Sequence, residues 1–392
     1  MTKKPVVLFL PKWYPNKFDA FDGNFIENHA IAISKFCSVA VIFVHSDPEL
    51  KKKFELIETC PFQFPEIRVY FKKPSFVFKP FNQVITSIRY LKALFRAYRY
   101  YSKKYTTPTL CHVHVLARTS ILALYLKWVK KIPFLISEHW SGYHAISGAY
   151  KGFLKKKLSK IAVKNAAAIT VVSKNLEESM KSHSLLGNYL LIPNVVDTTI
   201  FRPNKEMKHH PKKRLIPISN LSKVPKNMHL IIDALNELVK ERNDFEFILI
   251  GTGPDEVEML HKINNSPLKK LTKFKGELPM EKVAEELRNS DVLLLFSLFE
   301  NQPCVILEAF ASGIPVISSD VGGIPEIVPS EMGSLVPSKN LQEFTAAIRN
   351  YLNGNNSFSK NLIRSHAEKL YSQKVVGQQF YELYASILKD VN

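Results

Sequence analysis

Cysteine is scarce in this chain: Cys37, Cys60, Cys111 and Cys304 are the only four in 392 residues, with neither Cys-x-x-Cys nor Cys/His spacing. That argues against a disulfide framework and a structural zinc site, and it fits a reducing compartment. Long apolar runs are lacking too. The opening MTKKPVVLFLPKW has an apolar core of five or six residues, too short for a signal peptide's apolar region, and no later stretch approaches the roughly eighteen residues of a spanning helix. The expectation is a cytoplasmic chain that neither crosses a membrane nor is exported. Acidic residues are short in one half only. Residues 1–200 hold 12 Asp and Glu against 30 Lys and Arg, and residues 201–392 hold 23 against 24, so nearly all of the net charge of +19 lies in the first half. A basic half should meet something anionic: a membrane surface, a phosphorylated acceptor or a nucleic acid.

A glycine-rich dinucleotide loop is also missing. After the first apolar run only Gly23 stands before the next helical pattern, and Asn24-Phe25-Ile26-Glu27 does not complete Gly-x-Gly-x-x-Gly. A dinucleotide-dependent dehydrogenase is disfavoured where its signature should be clearest. His112 and His114 share one face of a strand, but the sequence offers them no third metal ligand.

What is present is an alternation of apolar runs and helical patterns, in a chain long enough, at 46% hydrophobic content, for two domains with sizeable cores. Val6–Leu10 reads as a buried strand, followed by the loop Pro11–Asn24 and a helix from about Phe25 to Phe36. Val39–Val44, Leu110–Leu116, Phe134–Ser137 and Ile169–Val172 read as further strands, and Ser173 is placed to cap a helix. From about Asn82 to Tyr105 the apolar set Ile88, Leu91, Phe95 and Tyr98 recurs at helical spacing, with Arg89, Lys92, Arg96, Arg99 and Lys103 one position on. A second basic helix at 151–166 puts Lys156, Lys160 and Lys164 behind Leu154, Leu158 and Ile161. Each such charge near an anionic leaflet is worth on the order of 1 kcal/mol, so these stripes fit either a solvated face or an anionic surface. Residues 202–214 read as an interdomain linker, and a final helix around Val375–Leu388 presents Val376, Phe380, Leu383 and Ile387.

The chain is organised around residues 296–328, FSLFENQPCVILEAFASGIPVISSDVGGIPEIV. The spacing predicts a buried strand over Val292–Phe296, a turn at Glu300–Pro303, a helix over Val305–Ser312 stopped by Gly313, and a second buried run at Val316–Ser318. Seven residues separate Glu300 from Glu308. Glu300 sits where a strand releases its last side chain, and the loop beyond opens a helix N-terminus, whose free N–H groups and dipole suit an anion such as phosphate. Glu308, one turn in, can accept hydrogen bonds from a diol such as a ribose. Gly322-Gly323 and Glu326 read as a second loop-to-helix opening. For any one of these glutamates, a favourable charge at a helix start would be explanation enough.

The string as a whole resembles the signature of retaining glycosyltransferases of the large GT4 family, Glu-x7-Glu followed by EAxAxGxPVI and a DVGGIPE segment. The resemblance implies an α/β fold of two doubly wound Rossmann-like domains facing across a cleft, the GT-B arrangement. Residues 1–200, joined by the C-terminal helix 375–392, would bind the acceptor, and 201–374 the nucleotide-sugar donor. Glu300 would touch the donor sugar, Asn301, Gln302, Pro303, Cys304 and Val305 the sugar and diphosphate, and Glu308 the ribose. Pro303 contributes no N–H. Gly23 looks like the glycine that lets backbone approach donor phosphate and acceptor. His139, in ISEHWSGY, would contact the donor sugar. LIPNVVDTTIF resembles the family's IPNGVD-x-x-F, with Val195 for the usual glycine, and marks the domain edge. Lys226 matches the family's diphosphate-binding lysine, while Asn220 stands where its arginine is expected, removing one charge from the leaving-group site. Gly251, Gly253 and the Thr272–Leu278 edge would meet the nucleotide base.

No Asp-x-Asp is placed to hold a metal on the diphosphate, so Lys226 and helix N-termini are expected in its stead, with no metal and no cofactor beyond the nucleotide-sugar substrate. The implied activity is metal-independent glycosyl transfer with retention, to a glycan or lipid-linked polysaccharide precursor at the cytoplasmic membrane face. Glu300, Lys226 and His139 form the catalytic set, and Arg89, Lys92, Arg96 and Arg99 the set facing membrane or acceptor. Two readings remain beside it. One is another GT-B enzyme, such as a nucleotide-sugar epimerase. The other is a basic protein binding nucleic acid or membrane, with a degenerate nucleotide site and aromatics interleaved with basic residues at Tyr98–Tyr101. The second gives Glu300, Glu308 and Lys226 no reason to occur together, so nucleic acid is the less favoured partner.

Overall fold

A computed structural model describes residues 4–74, 79–204 and 210–390; the stretch 205–209 of the linker reading lies outside the described residues. The chain divides into two compact units. The first takes the described residues up to 172, then 176–192 and those from 376 on; the second takes 173–175 and 193–375.

The first unit is built on an eight-stranded sheet: β1 Val6–Pro11, β2 Ser38–Asp47, β3 Phe54–Thr59, β4 Glu66–Lys72, β5 Leu110–His114, β6 Phe134–Glu138, β7 Ile169–Val171 and β8 Tyr189–Leu191, in spatial order 3-4-2-1-5-6-7-8. All pairings are parallel except β3 with β4. Parallel strands need both faces covered, and β1, β5 and β6 are buried almost residue by residue. The helices α1 Asn24–Ser34, α2 Lys79–Lys104, α3 Ser120–Lys130, α4 Phe153–Asn165 and α5 Lys174–Ser182 follow in chain order, α5 starting in the second unit. Strand order reverses between β1 and β5, which places a ligand crevice beyond the carboxyl ends of these strands.

Two helical faces differ from the sequence expectation. In α2 the buried set is Ala93, Leu94, Ala97 and Tyr101, whereas Ile88 is 46% exposed. Two alanines let the helix lie close on the sheet, and that outweighs the larger Ile88–Tyr98 series. In the C-terminal helix, Gln373–Lys389, the buried side chains are Val376, Phe380, Tyr384 and Ile387, with Tyr384 in place of Leu383. The Tyr384 hydroxyl lies 2.7 Å from His112 Nδ1, which accounts for a tyrosine at that depth.

The second unit carries β9 Lys213–Ile216, β10 Phe245–Ile250, β11 Thr272–Gly276, β12 Val292–Leu295, β13 Val316–Asp320 and β14 Gly333–Pro337, all parallel, in the order 11-10-9-12-13-14. Along β12, Leu293 and Leu295 enter one apolar layer while Val292, Leu294 and Phe296 enter the other. That two-residue alternation between two buried faces is what a continuous apolar run means in a parallel sheet. The helices are α6 Met228–Leu238, α7 Glu256–Asn264, α8 Met280–Arg288, α9 Cys304–Ala311, α10 Leu341–Leu352 and α11 Lys360–Tyr371. Here the strand order reverses between β9 and β12.

Three boundaries move. The central helix begins at Cys304, one residue early, because Pro303 takes the extended N-cap conformation, and Gly313 ends it at φ 73°. β11 stops at Gly276, so Leu278 lies past the strand. After Asp320 the chain forms tight turns, not a second helix: Ile324 N–H bonds back to Val321 and Ile327 N–H to Ile324, and Pro325 withholds an N–H. Among the described residues no helix is long and apolar enough to cross a membrane.

Candidate active site

The site grows from the strand-order reversal of the second unit. β9 releases the chain at Ile216 into a loop ending at Lys226, and neighbouring β12 releases it at Leu295 into a loop carrying Glu300. The two loops are laced by the Leu298 N–H donating to the Pro225 carbonyl at 2.8 Å. Lys226 Nζ lies 2.5 Å from Glu300 Oε1, and the Ser297 hydroxyl donates to the same oxygen at 2.8 Å. Ser319, on β13, donates to the Ser297 carbonyl at 2.7 Å and holds that donor in place.

Glycines fix the backbone around this pair. At Gly322, φ 57°, a Cβ would stand 1.8 Å from the Glu300 carbonyl oxygen, and at Gly323 one would stand 1.9 Å from that of Asn301. No residue with a side chain fits there. The Gly251–Gly253 turn after β10 packs in the same way on Ser219 and Leu221, with the Leu221 N–H bonded to the Thr252 carbonyl at 2.9 Å.

Beyond Glu300 the predicted donor-facing residues divide. Asn301 is buried. Gln302 is committed to the fold: its side-chain oxygen accepts from the Asn194 N–H at 2.6 Å and its carbonyl from the Asn194 amide at 2.9 Å. The Asn194 of the IPNVVD string therefore props this loop. The first N–H groups of α9, on Cys304 and Val305, bond to no other described residue and remain available to an acceptor. Burial, with Glu308 and Glu300 adding to it, pushes the Cys304 thiol up to about 12. Glu308 is half-buried on α9 and its carboxyl has no hydrogen-bond or ion-pair partner among the described residues; burial raises that carboxyl to about 7. Glu326 accepts from the N–H groups of Lys174 and Asn175 at 2.7 and 2.9 Å, which makes it a backbone cap.

Asn220 is exposed in the β9 loop. Lys223 of the same loop pairs with Glu258 at 2.7 Å, and Arg214, on β9, is buried against Glu286 at 2.9 Å. Lys226 is thus the cation of this loop that faces Glu300. The Leu278 side chain packs on the core.

In the first unit Gly23 caps α1 at φ 66°, and a Cβ there would stand 2.4 Å from the Trp13 carbonyl. His139 follows β6, its ring 4.8 Å from Phe25, 5.4 Å from His29 and 6.1 Å, stacked, from His114. Burial and the neighbouring histidines hold His112 and His114 well below the usual imidazole range, so both are neutral. Among the described residues no group of three or more His, Cys, Asp or Glu is placed to hold a metal ion. Of the basic set on α2, Lys92, Arg96 and Arg99 are exposed, while Arg89 is half-buried and donates to the Lys72 carbonyl at 2.6 Å.

A family profile described as glycosyl transferases group 1 matches residues 200–369, and one described as glycosyltransferase family 4 matches residues 25–200. The fold is that of a sucrose-phosphate synthase from Thermosynechococcus elongatus, with a TM-score of 0.79 at 18% identity over 99% of this chain and 100% of that one. The chain is a GT-B glycosyltransferase. A second likeness is to Anabaena HepE solved in complex with UDP, TM-score 0.72 at 16% identity over 97% of this chain and 100% of that one. Among curated relatives, TuaC of Bacillus subtilis (strain 168), provisionally named a teichuronic acid biosynthesis glycosyltransferase, is 26% identical over 88% of each chain. The GPI3 subunit of phosphatidylinositol N-acetylglucosaminyltransferase from Saccharomyces cerevisiae is 25% identical, and the match spans 59% of this transferase and only 53% of that subunit.

Sequence reasoning passed over Glu138. Its buried carboxylate accepts from the N–H groups of Leu116, His139 and Trp140, each at 2.9 Å, and from the Tyr143 hydroxyl at 3.0 Å. It ties together the loops after β5 and β6 and sets where His139 sits. Burial raises its carboxyl in spite of those four donors. The signal was a glutamate ending an otherwise apolar strand.

Proposed function

We propose that this enzyme is a retaining, GT4-type transferase whose second unit binds a nucleotide-diphosphate sugar and whose basic first unit binds the acceptor. The observation that carries the reading is the Lys226–Glu300 pair, set by adjacent loops at the strand-order reversal, beside the unclaimed N–H groups of α9. Breaking a glycosidic bond to a diphosphate leaves positive charge on the sugar ring and negative charge on the departing phosphates. Catalysis therefore needs preorganised cations and N–H dipoles at the phosphates. Lys226 and the amides of Cys304 and Val305 supply them, and Glu300 orients the sugar. Glu308, with no partner of its own, accepts from the ribose diol. The Gly251–Gly253 turn borders the base. His139 assists beside the sugar ring.

HepE has been solved with UDP and with UDP-glucose, which favours a uridine nucleotide among the candidates. The names of TuaC and of the phosphatidylinositol transferase favour a polysaccharide or lipid-linked acceptor. The exposed cations of α2 and α4 favour work at an anionic membrane surface on its cytoplasmic side. Thermal denaturation with a panel of UDP-, GDP- and ADP-sugars tests the donor assignment, since a ligand that binds only the native state raises its apparent stability. One nucleotide should raise the midpoint, and Lys226→Ala should abolish the shift. A panel with no response would overturn the reading.

A further inference from the structure

We infer that Lys12, Lys155 and Trp140 form a subsite in the first unit for a compact oxyanion, a phosphate or carboxylate carried by the acceptor. This rests on the reading that the first unit takes the acceptor. Lys12 is the first residue after β1, and its N–H is bonded to the His114 carbonyl at 3.1 Å across the strand-order reversal. Trp140 follows β6, and Lys155 lies in the first turn of α4. The Lys155 ammonium stands 3.6 Å and the Lys12 ammonium 5.1 Å from the Trp140 ring centroid. Three separate segments thus bring two cations to one indole beyond the carboxyl ends of the sheet, with Lys12 also 4.4 Å from the Trp13 ring centroid.

The indole is seated for this purpose. A Cβ on Gly142 would lie 2.0 Å from the Trp140 ring, so only glycine lets the ring fold back over that backbone. Tyr143 meets it edge-on with centroids 5.1 Å apart. Both lysines are half-buried, and neither forms an ion pair among the described residues. By contrast, Lys17, Lys104 and Lys181 of the same unit pair with Asp47, Glu58 and Glu177. Glu138 attracts both Lys12 and Lys155 through space and Asp22 attracts Lys12, but neither carboxylate forms an ion pair with them, and that of Glu138 is taken up by four hydrogen bonds of its own. Burial and the repulsion of Lys12 bring Lys155 down to about 8. Two half-buried cations at one indole, neither in an ion pair among the described residues, carry a desolvation cost that an oxyanion binding at both would offset.

The test uses the full chain and three probes at matched ionic strength: inorganic phosphate, glycerol phosphate and malate, with sodium chloride as reference. Reductive methylation followed by mass spectrometry reads each lysine separately, with exposed Lys157 as the internal standard. At least one probe should protect Lys12 and Lys155 several-fold while leaving Lys157 unchanged. Protection by the phosphates alone identifies a phosphate site, and protection by malate alone a carboxylate site; both support the subsite. Lys12→Gln with Lys155→Gln should weaken binding of that probe at least tenfold, and Lys155→Arg, which keeps the charge, should retain it. No protection by any probe, or equal affinity in the double glutamine variant, would overturn the inference. The thermal shift from nucleotide should survive in that variant. Its absence from the unmodified enzyme would remove the donor reading without touching the protection result.

Discussion

Lys226 and Glu300 leave neighbouring parallel strands, β9 and β12, and meet with their charged atoms 2.5 Å apart, both mostly shielded from solvent. Each group partners the other until something else does. On the proposed donor reading, a diphosphate arriving at Lys226 would exchange one anionic partner for another, and Glu300 would then be released toward the sugar while Ser297 still holds it. Lys226→Ala should therefore reduce turnover on the order of 10²–10³-fold, the scale seen when one donor to developing negative charge is removed. Glu300→Gln should reduce it comparably while largely sparing nucleotide affinity. Circular dichroism should show both variants folded. Near-normal turnover in either one would withdraw the assignment.

The shape of the loop that carries Glu300 depends on no side chain growing from Gly322. Alanine there combines a left-handed φ of 57° with a Cβ 1.8 Å from the Glu300 carbonyl oxygen, so either the turn or the loop carrying Glu300 must move. Gly354 offers the matched control, since its φ is 76° and nothing lies within 4 Å of its would-be Cβ. Gly354→Ala should cost about 1 kcal/mol from backbone strain alone. Gly322→Ala should cost at least twice that, about 2 kcal/mol or more, and should also weaken nucleotide binding. Urea denaturation of the two variants side by side separates strain from collision. Equal losses would mean that the close approach is not what demands a glycine.

The alternation of buried strands with helices was legible in the sequence because each parallel strand is a short apolar run, and the string around Glu300 could be read as strand, loop, helix and strand. Lys226 and Glu300 are 74 positions apart, and no periodicity brings them together; only the family resemblance placed both at one nucleotide-sugar donor, Glu300 at the sugar and Lys226 at the diphosphate. Other parts were hidden for definite physical reasons. β3 alternates partly exposed residues on a sheet edge and so lacks an apolar run. The buried face of α2 turns on two alanines that carry little hydropathy signal. Gln302 looked like a ligand group because its tie to Asn194 spans 108 positions. Lys12, Trp140 and Lys155 come from three separate segments, and nothing in their spacing announces a common indole.

The pH dependence of Glu308 follows from its burial. Its carboxyl stands at about 7 against an ordinary 4.5, so the folded chain binds a proton more tightly than the unfolded one. The stability this gives is fully present below about pH 4.5 and is lost as pH rises through about 7. At pH 8 the ionised, partnerless carboxylate costs on the order of 2–3 kcal/mol, less whatever screening water provides. Glu308→Gln should be the more stable protein at pH 8, and the gap should close toward pH 4. If the ribose diol binds the ionised form, nucleotide affinity of the unmodified enzyme should rise between pH 6 and pH 8 with release of a proton, and the glutamine variant should lose that rise. Calorimetry in two buffers of different ionisation enthalpy counts the proton. Parallel stability curves for the two proteins would show that Glu308 is not held in its acid form by the fold.

The exposed cations of α2 make the last prediction. Lys92, Arg96 and Arg99 point away from the buried Ala93–Leu94–Ala97 face, whereas Arg89 is spent on the Lys72 carbonyl. At about 1 kcal/mol for each charge near an anionic leaflet, replacing the three exposed residues by glutamine should weaken vesicle binding on the order of 10²-fold, and adding Arg89→Gln should change it little further. On α4, Phe153 and Leu154 are 77% and 79% exposed beside Lys156 and Lys157. Apolar side chains in that setting suit insertion among headgroups, so Phe153→Ser with Leu154→Ser should weaken binding by a route that salt does not mimic. Co-sedimentation with phosphatidylserine vesicles at two salt concentrations reads both effects. A nucleic-acid partner would instead show affinity falling steeply and linearly on a log–log plot against salt, with no dependence on Phe153 or Leu154. Unchanged sedimentation in all variants would remove the membrane from the account and leave the transfer chemistry proposed for Lys226 and Glu300 standing.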